Sequence, residues 1–118
     1  MDFDFTQDQV MLKNSVRDYL TEKCGMQFVR TLFDDAKGFS AAMWKEMAEL
    51  GWLGIPFPEE YGGLGLGLIE TSLTLEEMGR AVFPGPYFAS VLLAGSAITE
   101  AGDKAQKEKY LQGIADGT

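Results

Sequence analysis

The run Gly62-Gly63-Leu64-Gly65-Leu66-Gly67 has the composition of a loop whose backbone amides cradle a phosphate. Its spacing fails that chemistry. A dinucleotide fingerprint needs Gly-x-Gly-x-x-Gly after a strand; counted from Gly63 the last position is Leu68, and counted from Gly65 it is Glu70. No Gly-Lys-Ser/Thr follows, so a P-loop fails as well. What is left is a tight loop that needs positive φ angles at several glycines. Acidic pairs come next. Asp2/Asp4, Glu59-Glu60 and Glu76-Glu77 offer carboxylates for proton transfer, but none has a convergent partner in the sequence, and each reads as solvated charge. Asp34-Asp35 with Gly38 lacks the alternating acids and the terminal bidentate Glu of a calcium loop.

Residue types that are missing narrow the chemistry further. There is no histidine, which removes imidazole acid/base work, Ser-His-Asp and Cys-His nucleophile pairs, and His-containing metal sites. The single cysteine, Cys24, excludes an internal disulfide and a cysteine zinc cluster; beside Lys23 and without a base it reads as a core or surface thiol. No catalytic, cofactor-binding or metal-ligating residue is therefore assigned. The charge balance is 10 basic against 18 acidic residues, net −8. Scattered, outnumbered Lys and Arg build no nucleic-acid groove, and an anionic membrane surface repels such a chain. Met1-Asp2-Phe3-Asp4-Phe5 carries acids where a secretory leader carries bases, so a cytoplasmic location is expected. Residues 81–99 carry no charge and are nearly as long as a bilayer span of about 20 residues. Pro84, Gly85, Pro86 and Gly95 with Ser90, Ser96 and Thr99 make that stretch an interior helix of a larger soluble assembly, not a membrane span.

The elements around these residues are helical. Thr6-Gln7-Asp8-Gln9 forms a capping box, and Leu12, Val16, Tyr19 and Leu20 continue at helical spacing until Gly25 stops the helix. Met26 to Phe33 makes a short helix through Val29 and Phe33. Ser40 caps a third, with Met43, Trp44, Met47 and Leu50 inward and Gly51 as its left-handed end. Six of the 17 residues from Gly51 to Gly67 are glycine, and Pro56 and Pro58 interrupt regular structure, with Leu53-Gly54-Ile55 as a short extended piece. A fourth helix runs from Leu68 to Val82, with Leu68, Leu75 and Val82 sharing a face with Ser72 and Gly79. Pro86 opens a fifth as its first helical residue. Asp103 to Gln106 is a second capping box, and Tyr110, Leu111 and Ile114 turn inward in the last helix. The expected fold is all-α, a compact bundle of five to six helices in one domain.

The run Leu50-Gly51-Trp52-Leu53-Gly54-Ile55-Pro56-Phe57-Pro58-Glu59-Glu60-Tyr61-Gly62-Gly63-Leu64-Gly65-Leu66 resembles the acyl-CoA dehydrogenase family. Phe5-Thr6-x-x-Gln9 before it, Glu76-Glu77-Met78-Gly79-Arg80 after it, and Ala101-Gly102 through Lys109-Tyr110-Leu111 match in order and spacing, so the resemblance covers essentially the whole chain. It implies that residues 1–118 are the N-terminal helical domain, with a β-domain and a C-terminal helical domain outside this chain. It implies a parent reaction in which a carboxylate takes the α-proton of an acyl-CoA thioester and the β-hydrogen leaves as hydride to FAD. Electrons then pass to an electron-transfer flavoprotein, and the parent is a homo- or hetero-tetramer. The family's catalytic base lies beyond residue 118, so no Glu here inherits the role, and FAD is not expected on this chain alone.

The same resemblance places the acyl-chain pocket at the start of the fifth helix, with Gly85, Pro86, Ala89 and Leu93 toward the substrate and Leu92 on the same face. Pro84-Gly85-Pro86-Tyr87-Phe88 departs from the straight-chain enzymes. Gly79-Arg80 followed by Pro84 looks like bacterial members that take bulky or branched acyl groups, including sterol-derived ones, for which Gly85 and Ala89 leave room. Alternatives on the same fold are a non-catalytic subunit, a helical interaction module or part of an acyl-CoA oxidase.

Overall fold

The computed structural model describes residues 3–118. Met1 and Asp2, and with them the Asp2 half of the Asp2/Asp4 pair, lie outside the described residues. Among the described residues there are six α-helices, one π-helical run and two 3-10 turns, and no strand. The helices are α1 (Gln7–Lys23), α2 (Met26–Phe33), α3 (Ala41–Glu49), α4 (Leu68–Arg80), α5 (Gly95–Ala101) and α6 (Lys104–Asp116). The π-helical run, Phe88–Ala94, leads straight into α5. No helix is long and apolar enough to cross a membrane.

The caps form where local chemistry puts them. The Thr6 hydroxyl accepts from the Gln9 N–H at 3.2 Å, and Gln9 Oε1 accepts from the Thr6 N–H at 2.9 Å. Asp103 and Gln106 exchange the same pair at 2.8 and 3.0 Å. The Ser40 hydroxyl accepts from the Met43 N–H. Each satisfies helix-start amides that have no partner inside the helix. Gly51, at φ +84°, and Gly117, at φ +79°, take the left-handed conformation at the ends of α3 and α6.

Several expectations are corrected. Gly25 does not stop α1: Cys24 leaves helical geometry at φ −124°, ψ 61°, and Gly25, extended, starts α2 instead. In α2 the inward residue is Leu32, while Phe33 is 89% exposed. Leu50 is exposed because it already belongs to the turn into Gly51. Tyr110 lies outside, with the Lys109 ammonium 5.1 Å from its ring centre, and Leu111 and Ala115 face in. Helix α4 turns a different face to the core from the one that carries Leu68, Ser72 and Gly79. Thr71, Leu73, Thr74, Glu77 and Met78 are buried, Leu68, Ser72, Gly79 and Val82 are exposed, and Leu75 is half-buried against the core. α1 lies along α4, and its Arg17 pairs with buried Glu77, which fixes that rotation.

Leu53-Gly54-Ile55 is not extended. Trp52–Gly54 is a 3-10 turn, and Leu53, Ile55 and Phe57 are fully buried at the centre of the core. A non-strand segment at that depth must satisfy its carbonyls. The glycine-rich loop does so: the amides of Leu64, Leu66 and Gly65 donate to the carbonyls of Gly54, Ile55 and Phe57 at 2.8–2.9 Å. Val16 and Leu20 of α1, Met43 and Met47 of α3, Met78, Tyr87, Val91 and Leu111 close around it. The Tyr87 hydroxyl donates to the Trp52 carbonyl at 2.8 Å. The result is a slab of 42 × 42 × 20 Å whose radius of gyration, 14.6 Å, exceeds the ~13.5 Å of a rounder domain this long.

Candidate functional site

The four residues expected at a substrate pocket sit where the chain leaves α4 and enters the next helix. Gly85, Ala89 and Leu93 are exposed, Leu93 by 56%, and Pro86 is half-buried. Pro86 is not the first helical residue; its carbonyl accepts the first helical bond, from the Ser90 N–H at 2.9 Å, and the helix proper starts at Tyr87. The ring of Phe83 fills the place a Gly85 side chain would take, so Gly85 opens no space outward. Ala89 is exposed, as are Phe88 and Leu93.

The π winding was not legible in the sequence and changes which residues share a face. Bonds from i to i+5 put more residues in each turn than the α-helix holds, so residue i+3 falls farther behind. Ala89 and Leu93 keep a common outward side, whereas Leu92 is half-buried and turns elsewhere. Leu92 and Ser96 line a cavity of 320 Å³ with Phe57, Leu66 and Glu100. Gly85 and Phe88 line a separate cavity of 340 Å³ with Leu75, Gly79, Val82 and Phe83. Neither cavity includes Ala89 or Leu93.

The glycine-rich loop has no capacity for phosphate. Besides the three bonds to the core segment, the Gly63 N–H donates to Pro58 O and the Gly67 N–H to the Glu70 carboxylate. Its amides are committed to its own fold, and its positive-φ residues are Gly62 and Gly65. A flavin pyrophosphate therefore does not fit this loop.

Glu77 departs from the solvated-charge reading. It is 1% exposed, and Arg17 grips it through Nε and Nη2 at 3.0 and 3.1 Å while Arg80 Nε donates to the same carboxylate at 3.0 Å. The Arg17 hydrogen bonds, against the cost of burial, hold its carboxyl below the usual range. A carboxylate doubly bound to arginine is a structural brace, not a base. Glu70 is also held low, first by the Gln9 side-chain amide at 3.2 Å. Cys24 is a core thiol, pushed up by burial, with Sγ 3.8 Å from the Ala81 carbonyl. Among the described residues no three His, Cys, Asp or Glu side chains converge on a common point suited to a metal ion.

The family model described as acyl-CoA dehydrogenase, N-terminal domain, matches residues 6–118. A probable acyl-CoA dehydrogenase of Bacillus subtilis (strain 168), YngJ, is 36% identical over 120 residues, spanning 100% of this chain and 31% of that protein. An acyl-CoA dehydrogenase complexed with FAD from Bacillus anthracis superposes with a TM-score of 0.85 at 32% identity, over 97% of this chain and 20% of that one. A variant of the Tcur3481-Tcur3483 steroid ACAD superposes with a TM-score of 0.86 at 34% identity, over 94% of this chain and 30% of that one. The chain spans under a third of the length of the curated relatives it matches.

Proposed function

Because the chain belongs to the acyl-CoA dehydrogenase family, as its N-terminal domain, we propose that it forms one wall of the acyl-chain slot in an FAD-dependent enzyme that desaturates an acyl-CoA thioester. The observation that carries this reading is the outward side of the helix that follows Pro86. Ala89 and Leu93 stand exposed there beside Phe88, in a stretch that has no charged residue from 81 to 99. An acyl chain needs such a surface, because a dry, apolar slot excludes water from the reacting carbons. Within this reading Gly85 and Pro86 set the path of the backbone at the slot's edge, and Ala89 and Leu93 touch the chain.

This domain supplies the wall and not the reacting groups. The base and the flavin belong to the remainder of the longer polypeptide, to a β-domain and a C-terminal helical domain. FAD, when bound there, accepts the hydride from the β-carbon. Glu77 is occupied by two arginines and the loop amides by the core, which leaves this chain to bind, orient and exclude water. Alone it binds no flavin and turns nothing over; a purified sample with a flavin absorption band contradicts that. The parent passes electrons to an electron-transfer flavoprotein, works as a tetramer and is cytoplasmic.

The small side chain of exposed Ala89 and the likeness to a steroid ACAD favour a bulky or branched acyl group over a straight chain. Ala89→Trp in the complete enzyme tests the wall. It lowers kcat/KM for long or bulky acyl-CoA substrates roughly tenfold more than for short ones, a pocket effect of ordinary size. Equal changes across chain lengths sink the placement.

A further inference from the structure

The family resemblance gives Gly85 the task of leaving room for a bulky acyl group, yet the place of its side chain is already taken. A Cβ at residue 85 would stand 2.6 Å from Cζ of Phe83 and closer still to Cε1. The Phe83 ring lies over the glycine, where only a residue without a side chain admits it. Two backbone features aim it there. The Phe83 N–H donates to Met78 O at 2.9 Å, at the end of α4, and Pro84 keeps the residue before it out of the helical region. Phe83 is half-buried and packs against the core.

Phe83 also lines the 340 Å³ cavity beside the candidate wall. No charged side chain lines that cavity, and the hydroxyl of Tyr87, which borders it, is engaged by the Trp52 carbonyl. A hollow with such a lining takes hydrocarbon. Gly85 and Phe88 line it too, and they bracket Pro86 and Tyr87 just ahead of Ala89, so the cavity adjoins the wall on its N-terminal side.

We propose that Phe83 is a specificity-determining residue of the acyl slot: its ring, seated over Gly85, is the stop that the far end of an acyl group meets. The inference rests on the acyl-wall reading and adds to it which side chain limits size. Glycine at residue 85 does not enlarge the slot, because it admits a larger side chain from two residues upstream. Removing the Phe83 ring joins its volume to the adjoining cavity and makes apolar space that a bulky acyl end can fill. Hydrocarbon gained or lost in an apolar pocket shifts specificity by about tenfold or more.

The test is Phe83→Ala in the complete enzyme, with butanoyl-CoA as the short probe and cyclohexylbutanoyl-CoA as the bulky one. Titration calorimetry without an electron acceptor gives Kd for each, and kcat/KM is measured beside it. The expected result is a bulky-to-short preference, in affinity and in kcat/KM, that rises by about tenfold. A merely structural role of the ring weakens both probes alike. A preference that falls, or rises by less than about threefold, therefore overturns the proposal. Where Phe83→Ala does not fold, Phe83→Leu keeps an apolar side chain on the core and is read by the same criterion. Ala89→Trp separates this inference from the reading beneath it. A preference lowered by Ala89→Trp and unmoved by Phe83→Ala removes Phe83 and keeps the wall. A preference unmoved by both variants, or a parent enzyme that binds neither probe, removes the wall and Phe83 with it.

Discussion

The ring of Phe57 lies against the Cα of Gly95, and a Cβ at residue 95 would collide with its Cζ and Cε1. On the other side Gly63 approaches the backbone of Phe57 so closely that its own Cβ would stand 2.6 Å from the Phe57 Cβ. Phe57 is fully buried, and its carbonyl holds the Gly65 amide. The residue is held between the glycine-rich loop and α5.

Gly95→Ala therefore acts against helix propensity. At an ordinary helix position the change stabilises by about 1 kcal/mol. Here the new methyl meets the Phe57 ring, and overpacking of that kind costs about 1–3 kcal/mol. The expected outcome is a lower urea midpoint with an unchanged denaturant slope. A midpoint at or above that of the parent chain would show that the Phe57 ring has room the geometry denies it.

Acid sensitivity centres on Glu77. Arg17, then Arg80, hold its native carboxyl below the ordinary glutamate value of 4.5. The unfolded chain therefore takes up the proton first as pH falls. The stability this brings is complete above about pH 4.5 and is lost as pH drops through the native value. Glu70 is held low as well, by Gln9 and the Gly67 amide, and adds in the same direction. Glu77→Gln keeps the shape but not the charge. It is expected to be less stable by about 1–3 kcal/mol at pH 7, and its stability should fall less steeply below pH 4.5. Chemical denaturation at pH 7, 4.5 and 3.5 measures both; parallel curves for the two proteins would contradict the assignment.

What the sequence disclosed was chemistry that acts over a few residues. The Thr6–Gln9 and Asp103–Gln106 boxes and the left-handed Gly51 depend on neighbours three or four positions away, and all three formed as read. The all-α class followed from the same local signals. Long-range choices were not legible. Glu77 looked solvated because Arg17 stands 60 residues earlier, and without that pair nothing distinguishes the inward from the outward side of α4. Trp52–Phe57 looked like a loop beside a possible strand, although it is the centre of the core, because its carbonyls are satisfied by amides around ten residues downstream. For the candidate wall, helical spacing puts Ala89, Leu92 and Leu93 on one face, and the π winding of Phe88–Ala94, which no residue spacing announces, turns Leu92 away from the other two.

Val82 gives the last prediction. Its N–H donates to Gly79 O at 3.1 Å and the Phe83 N–H to Met78 O at 2.9 Å, the paired bonds that close a helix through a left-handed residue. Glycine takes that conformation without strain; a β-branched residue does not. Val82→Gly removes a left-handed cost of about 1–2 kcal/mol, partly offset by the extra freedom glycine gives the unfolded chain. In the 118-residue chain the side chain is more than half exposed, so little packing is lost with it. The expected outcome is a gain of about 0.5–1 kcal/mol, read as a higher urea midpoint, where most valine-to-glycine changes in a helical protein destabilise. Val82→Ala, which keeps a Cβ in the left-handed region, should show no such gain. A loss on Val82→Gly equal to that on Val82→Ala would mean the conformation at residue 82 is not strained.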